Sequence, residues 1–216
     1  MVINAQFQYM QFGCGYTSSP EGWINIDASP SLFLQRIPIF GRFSRRFIKP
    51  RFPDSVIFGD ILHDLPIKKG SLKGIYCSHV LEHLSLEGFK AAIQNTYQYL
   101  APNGIFRLVM PDFNYFVQQY IMSDNPSASI DFMLESLLGV TKRERSLSIF
   151  LRNYLGNSRH LWLWDFNSAK TELNNTGFKH IRKAKFGDSC DPRFFEIEDE
   201  MRWKNCLGIE CQKFGH

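Results

Sequence analysis

Three short β-prone runs end in residues that could together hold a nucleoside. The first run, 6–12, ends in Gly13-Cys14-Gly15, the second ends at Asp27, and the third is followed by Asp60. Glycines let the backbone approach a ligand closely, and carboxylates can accept hydrogen bonds from ribose hydroxyls or an adenine amino group. Because the carboxyl ends of parallel strands meet at one edge of a sheet, these groups would surround one crevice. The sequence therefore predicts a nucleoside-binding site, although a Gly-X-Gly turn alone is a weak signal.

A second set of candidate residues follows the fourth β-prone run. His79, Glu82 and His83 lie at positions i, i+3 and i+4, so a helix that begins near Ser78 would place them on one face. Glu82 and His83 could hydrogen-bond to neighbouring backbone and fix the loop. Alternatively, the three side chains could bind zinc or another divalent ion, with His160 as a fourth ligand. We expect the first arrangement, with no metal, and assign a functional role to His79.

The elements that must position these residues alternate between strands and helices. This alternation is typical of crossover units in a mostly parallel sheet, and the last two β-prone runs predict an antiparallel pair at one end of it. We therefore expect an α/β fold with a Rossmann-like, mostly parallel twisted sheet and an antiparallel C-terminal strand pair. The predicted strands are 6–12, 23–26, 55–58, 72–77, 105–110, 179–186 and 206–213, and the predicted helices run from 78 or 85 to 100 and over 165–176.

The composition is that of a globular protein. Of the 216 residues, 44% are hydrophobic and 21% are charged, which excludes a disordered or fibrous chain. The length predicts one domain over 1–216, with a basic insertion at about 31–53 and a helical lid or acceptor insertion at about 113–164. No apolar run approaches the ~20 residues of a membrane-spanning helix, and the first residues do not resemble a secretory signal. We expect a cytoplasmic protein whose five cysteines, none of them in a CxxC pair, are reduced.

The positive charge is concentrated in one segment. Between Ala28 and Pro53 there are six basic residues, interleaved with phenylalanines, and no acidic residue. We expect this segment to be amphipathic and partly helical, to cover the entrance of the site and to attract an anionic or lipid-linked acceptor. Contact with a membrane surface is an alternative, whereas the modest net charge of +4 disfavours a nucleic acid. The sequence leaves the oligomeric state open.

The order of these motifs resembles the class I S-adenosylmethionine-dependent methyltransferases, in particular small methyltransferases linked to glycan or surface-polymer biosynthesis. The blocks SHVLEHL (78–84) and GWINID (22–27) are the most specific part of the resemblance. A nicotinamide-dependent Rossmann protein is disfavoured, because Ser18 stands where GxGxxG has its third glycine. The matching segments are QFGCG (11–15), GWINIDASP (22–30), FGDILHDLPIKKGSLKGIYCSHVLEHL (58–84), LAPNGIFRLVMPDF (100–113), HLWLWDFNSAKTELNNTGF (160–178) and CLGIECQK (206–213).

The resemblance implies S-adenosylmethionine as cofactor and a set of residues that bind it. The glycine loop would face the methionine and ribose moieties, Asp27 the ribose hydroxyls, and Asp60 with Ile61 the adenine. Two alternatives stay open, because Asp27 could cap a helix and Asp60 could be only a turn residue. The implied cofactor-binding residues are Gly13, Cys14, Gly15, Asp27, Ala28, Asp60, Ile61, Ser78 and His79.

The resemblance also implies methyl transfer to an acceptor. We expect the acceptor to be a hydroxyl of a sugar, a glycan or another small polar molecule, in a pocket lined by aromatic residues of the helical insertion. A hydroxyl acceptor needs a general base, and the candidates, in order of preference, are His79, Asp112 and His160. We expect His79 to act as a neutral imidazole without a metal. Methyl transfer to RNA and a non-catalytic cofactor-binding or membrane-peripheral scaffold are the alternatives.

The histidine pattern carries a further resemblance. It is similar to the ligand cluster of metal-dependent small-RNA 2′-O-methyltransferases and of ubiquinone-pathway O-methyltransferases. Those enzymes have a glutamate where His79 stands in this chain.

Overall fold

A single seven-stranded sheet organises the computed structural model, which describes residues 7–18, 20–37, 50–142 and 159–215. The strands are β1 (Tyr9–Phe12), β2 (Trp23–Asp27), β3 (Val56–Phe58), β4 (Leu72–Ser78), β5 (Leu100–Pro111), β6 (Phe178–Ala184) and β7 (Cys206–Lys213). Their order in the sheet is β3-β2-β1-β4-β5-β7-β6. The first five strands are parallel, whereas β7 runs antiparallel to both β5 and β6. The predicted α/β fold class, with its antiparallel C-terminal pair, is confirmed.

Five α-helices lie within the described residues. They are α1 (Pro30–Arg36), α2 (Leu86–Tyr99), α3 (Phe113–Ile121), α4 (Ala128–Glu135) and α5 (Phe166–Thr176). The two longest begin at side-chain caps, because Ser85 Oγ accepts the Gly88 N–H at 3.1 Å and Asp165 Oδ1 accepts the Ser168 N–H at 2.8 Å. Helix α5 ends at Gly177, whose φ of 110° suits a residue without a side chain. These local signals explain why both helices begin where the sequence predicts.

The two faces of the sheet are covered differently. On one face, helices α2 and α5 bury side chains such as Phe89 and Leu173 against the strands. On the other face, Trp23 packs with Phe194 from the segment 185–205, in which the only helical turns are short 3₁₀ turns. Within the described ranges, no helix joins β1 to β2 or β3 to β4. The C-terminal segment therefore covers part of the face opposite α2 and α5.

A buried arginine ties this C-terminal segment to the sheet. Arg107 on β5 is fully buried and donates hydrogen bonds to the carboxylates of Glu198, Asp188 and Glu210. Arg182 on β6 binds Glu210 at 2.6 Å and Asp188 at 2.8 Å. We call these five residues the Arg107 cluster. Because every charge in the cluster faces an opposite charge, the cost of burying it is offset.

Part of each predicted insertion lies outside the described residues. Of the basic insertion, 38–49 is not described, and of the helical insertion, 143–158 is not described. Helix α1 lies in the first insertion, and helices α3 and α4 lie in the second. The single-domain organisation and the insertion boundaries remain predictions. In the described parts of the chain, no helix has the length and hydropathy needed to cross a bilayer.

Candidate functional site

The loop after β1 is held in shape by Asp27. The Gly15 N–H donates to Asp27 Oδ2 and the Ser29 N–H donates to Asp27 Oδ1, each at 2.8 Å. The Gly13 N–H donates to the Ile26 carbonyl at 2.8 Å. Asp27 is 6% exposed, so its carboxylate connects the glycine loop to the residues that lead into α1. Ser29 is the N-cap of α1, so Asp27 fixes the glycine loop and does not itself cap the helix.

The two glycines of the loop are required for different reasons. Both have left-handed backbone, with φ of +66° at Gly13 and +56° at Gly15. A Cβ at Gly13 would lie 2.0 Å from Val80 Cγ2, so Gly13 is needed for packing. A Cβ at Gly15 would meet no atom within 4 Å, so this part of the loop borders open space. That space is compatible with a ligand lying against the backbone.

The cysteine between the two glycines, Cys14, is buried. Cys14 is 6% exposed, and burial, reinforced by the negative charge of Asp27, raises the pKa of its thiol to about 12. Burial also raises the pKa of Cys77 well above its ordinary value. Both side chains behave as small apolar residues in the core.

The residues predicted to face adenine lie at the same edge of the sheet. Strands β2 and β3 are parallel, with Asp27 in register with Phe58, so Asp60 follows closely at the carboxyl end of β3. Asp60 Oδ1 accepts the Leu62 N–H at 2.9 Å, as a turn aspartate does, and Ile61 is buried in the core. The turn role of Asp60 is therefore seen, and its contact with adenine stays a prediction.

The end of β4 is covered by an arginine that the sequence analysis missed. Arg202 donates from Nε to Ser78 Oγ at 2.9 Å and from Nη2 to the Ser78 carbonyl at 2.8 Å. Its own carbonyl lies 2.9 Å from His79 Nε2. Nothing in the sequence near Arg202 indicates this contact across 124 positions, because only the packing of 185–205 brings the two segments together.

The environment of His79 contradicts the expectation of a neutral base. One ring nitrogen faces the Arg202 carbonyl, and the other, Nδ1, lies 3.2 Å from Glu82 Oε1. Burial disfavours the charged ring, but the contacts with Cys206, Glu82 and Arg202 outweigh it and raise the pKa of His79 to about 10. An imidazole between two acceptors carries both protons, so His79 is a cation in this conformation.

The prediction of a helix that begins near Ser78 and presents these residues on one face is also wrong. His79 has a φ of 54°, and Leu81–His83 form only a 3₁₀ turn before α2 begins at Leu86. A residue with left-handed backbone cannot be part of a right-handed α-helix. A turn, and not a helix, therefore brings the polar side chains of His79, Glu82 and His83 together. The Glu82 carbonyl accepts the N–H groups of Leu161 and Trp162, at 2.7 and 3.1 Å. The segment 159–164 is thereby held against the turn.

This packing forms a second polar group, which we call the histidine cluster: His79, Glu82, His83 and His160. His83 Nδ1 lies 2.8 Å from the Arg159 carbonyl, and His160 Nδ1 lies 2.8 Å from the Ser136 carbonyl. Glu82 is completely buried, and within the described chain neither of its carboxylate oxygens has a hydrogen bond of good geometry. Burial lowers the pKa of His160, which favours the neutral ring. The expected backbone contact is seen for the His83 side chain and not for the Glu82 side chain.

One ligand atom from each of Glu82, His83 and His160 lies within 4.8 Å of the others, so these three could hold a metal ion. The fourth residue, His79, is not part of this group. It contacts the Glu82 carboxylate from another side.

The remaining candidate base, Asp112, follows β5 and caps α3. Its Oδ1 accepts the Asn114 N–H at 2.9 Å, and its backbone pairs with Trp164. Since β4 and β5 are parallel neighbours, Asp112 lies at the same edge of the sheet as His79. Trp164 is buried and stacks on Phe89 at 4.0 Å, so it belongs to the core and does not line a pocket.

Comparison with known proteins supports a fold and no closer assignment. No protein-family model matches the sequence, and no curated protein matches it. An S-adenosylmethionine-dependent methyltransferase from Archaeoglobus fulgidus is 14% identical, with a TM-score of 0.52 over 96% of this chain and 86% of that one. The CurJ carbon methyltransferase is 17% identical, with a TM-score of 0.51 over 97% of this chain and 49% of that one. The carbon methyltransferase domain (CMeT) of the citrinin polyketide synthase is 15% identical, with a TM-score of 0.51 over 97% and 47%.

This chain therefore spans about half the length of the last two structures and most of the first. At these identities the likeness concerns the fold. The protein has the fold of the S-adenosylmethionine-dependent methyltransferases, with seven strands in a mostly parallel sheet.

Proposed function

We propose that the protein transfers a methyl group from S-adenosylmethionine to a hydroxyl group of a sugar, a glycan or another small polar acceptor. The observation that carries the proposal is the glycine loop. In a methyltransferase fold, Gly15 borders open space at the carboxyl edge of the sheet, beside a carboxylate that already fixes the loop. Ligands of open α/β sheets bind at this edge.

The residues around this space fit the cofactor. The loop residues Gly13, Cys14 and Gly15 would face methionine and ribose, and Asp27 with Ala28 would face the ribose hydroxyls. At the next strands, Asp60 and Ile61 would face adenine, and Ser78 and His79 would pass beneath the methionine.

When bound, S-adenosylmethionine supplies a methyl carbon on a positively charged sulfur, which an acceptor oxygen attacks in line as the carbon–sulfur bond breaks. The chain has to hold the acceptor oxygen in line and take its proton. We propose that Asp112 accepts this proton, because His79 already carries both ring protons. The turn at 79–83 and the segment 159–164 would form the wall of the acceptor site.

Gly15→Ala tests the cofactor site against a matched control. Gly70 has a φ of +72° and open space at its Cβ, so Gly70→Ala introduces similar backbone strain away from the proposed site. Calorimetry with S-adenosylhomocysteine should show binding to the wild type and to Gly70→Ala, and at least about tenfold weaker binding to Gly15→Ala. Absence of binding to a folded wild type, or equal binding by both variants, would contradict the proposal.

Asp112→Asn tests the base. Asparagine keeps the helix cap, so the fold should be retained. We expect turnover with an identified acceptor to fall by about 10²-fold, while affinity for S-adenosylhomocysteine stays within about twofold. Unchanged turnover would remove Asp112 from the reaction.

We propose an anionic or lipid-linked acceptor, and a cytoplasmic protein with a peripheral membrane contact. The basic segment supports this, although the two of its cations that the structure describes, Arg36 and Arg51, pair with Asp54. Replacing Arg42, Arg45 and Arg46 by Gln should weaken binding of a phosphorylated sugar at low salt, whereas the same changes at Lys68, Lys69 and Lys73 should not. If the protein methylates RNA but none of the sugars tested, this assignment is overturned.

A further inference from the structure

We propose that Glu82, His83 and His160 form a binding site for a divalent transition-metal ion, with zinc as the preferred ion. The site itself rests on the geometry of these side chains. Only its use in catalysis rests on the proposed function.

Both imidazoles are oriented as metal ligands are. His83 and His160 each direct Nδ1 at a backbone carbonyl 2.8 Å away, which places the proton on Nδ1 and leaves the lone pair on Nε2. Such a second-shell contact fixes the tautomer and the ring direction of most histidine ligands. The two ring centroids are 5.0 Å apart, so their free nitrogens can reach a common ion.

Glu82 supplies a buried carboxylate that His79 contacts from one side, at Oε1. It is completely buried, and neither carboxylate oxygen has a hydrogen bond of good geometry among the described residues. The ion pair with His79 offsets part of the cost of burying this charge, and Oε2 has no hydrogen-bond partner among the described residues. His160 Nε2 lies 3.9 Å from Glu82 Oε1, so these two atoms can reach one common ion.

The donor set determines the class of ion. Magnesium and calcium prefer oxygen ligands, whereas two imidazoles and one carboxylate suit zinc and its first-row neighbours. Three protein ligands also leave a coordination position for water or substrate, as in catalytic zinc sites. When bound there, the ion would polarise an acceptor hydroxyl at the wall of the acceptor site.

His79 is a positioning residue in this arrangement. Its Nδ1 lies 3.2 Å from Glu82 Oε1, and its Nε2 is occupied by the Arg202 carbonyl, so it orients the carboxylate without entering the coordination sphere. The competing explanation is that this imidazolium alone neutralises Glu82. In that case the cluster is purely structural and binds no ion.

Metal binding by the full-length protein distinguishes the two explanations. After chelation and removal of the chelator, calorimetry should show zinc and cobalt binding with a stoichiometry of one, and no comparable binding of magnesium. Cobalt should give visible absorption bands of a low-coordinate site with nitrogen and oxygen ligands. Glu82→Gln, His83→Ala and His160→Ala should each weaken zinc binding by on the order of 100-fold. His63→Ala, which removes an exposed imidazole, should bind as the wild type does.

A variant of His79 tests whether this residue positions Glu82 or is itself a metal ligand. His79→Asn, which tolerates the left-handed backbone, should weaken zinc by only about tenfold and retain the cobalt bands. Circular dichroism should show that the wild type and Glu82→Gln are both folded. If the folded wild type then binds zinc no more tightly than Glu82→Gln does, the proposal of a metal site is overturned. Binding of S-adenosylhomocysteine measured in parallel shows whether the proposed function fails independently.

Discussion

The Arg107 cluster and the histidine cluster both bury carboxylates, but only the first is complete. Arg107 reaches Glu198, Asp188 and Glu210, so every buried charge there has a partner. In the histidine cluster, Glu82 is equally buried but has no hydrogen bond of good geometry within the described residues. A fully hydrogen-bonded cluster stabilises the fold, whereas a buried oxygen without a hydrogen bond is a place where a ligand can bind.

The largest effect should come from breaking the complete cluster. Arg107→Ala leaves Glu198 and Glu210 buried without their cation, and we expect it to lower the free energy of unfolding by about 3 to 5 kcal/mol. Denaturant unfolding measures this. Arg182→Ala, which removes a partly exposed arginine from the same cluster, should cost about 1 kcal/mol or less. Equal losses in both variants would mean that burial of Arg107 is not what makes it important.

A carboxylate paired with backbone amides provides an intermediate case. Asp27→Ala frees the Gly15 and Ser29 N–H groups and removes the proposed partner of the ribose hydroxyls. We expect affinity for S-adenosylhomocysteine to fall by about 1.5 to 3 kcal/mol. Calorimetry on Asp54→Ala, an exposed aspartate, serves as the control. Unchanged affinity in Asp27→Ala would show that this carboxylate has no role in the cofactor site.

The comparison is sharpest for two glutamates replaced in the same way. Glu198→Gln weakens charged hydrogen bonds to Arg107 and to the Gly187 N–H, and should lower stability by about 1 to 2 kcal/mol. In metal-free protein, Glu82→Gln removes a buried charge but also the anion beside His79, so we expect a smaller loss of stability than in Glu198→Gln. Both are read from the same denaturant curves. A larger loss in Glu82→Gln than in Glu198→Gln would place Glu82 among the fold-stabilising ion pairs.

The smallest effect is a pH dependence at the rim of the Arg107 cluster. Burial raises the pKa of Asp188, but hydrogen bonds from Arg182 and Arg107 outweigh it and lower the pKa below 3.8. The ionised form stabilises the fold above that value, and the contribution is lost as the pH falls through the lower folded-state pKa. Asp188→Asn should therefore flatten the acid side of the stability curve, by about 0.5 kcal/mol for this half-exposed pair. Melting temperatures of the wild type and Asp188→Asn, measured from neutral to acid pH, test this. If both proteins lose the same stability as the pH falls, the prediction is wrong.

Local signals in the sequence account for much of the fold. The caps at Ser85 and Asp165 and the Gly177 terminus define the two longest helices, because these residues satisfy helix ends within a few positions. The alternation of strand-like and helix-like segments predicted the sheet, because crossover units build a mostly parallel sheet. The glycine loop was visible for a similar reason, since a left-handed turn after a strand needs glycine.

The chemistry of the histidine cluster depends on contacts between distant segments. The sequence by itself determined that His79, Glu82, His83 and His160 are candidate functional residues, and that the chain forms an α/β sheet. Only the tertiary structure decided their roles, because the Arg202 carbonyl lies 123 positions from His79 in the chain and the Ser136 carbonyl lies 24 positions from His160. The protonation and direction of an imidazole follow from which acceptors pack against its two nitrogens, and no local pattern encodes that.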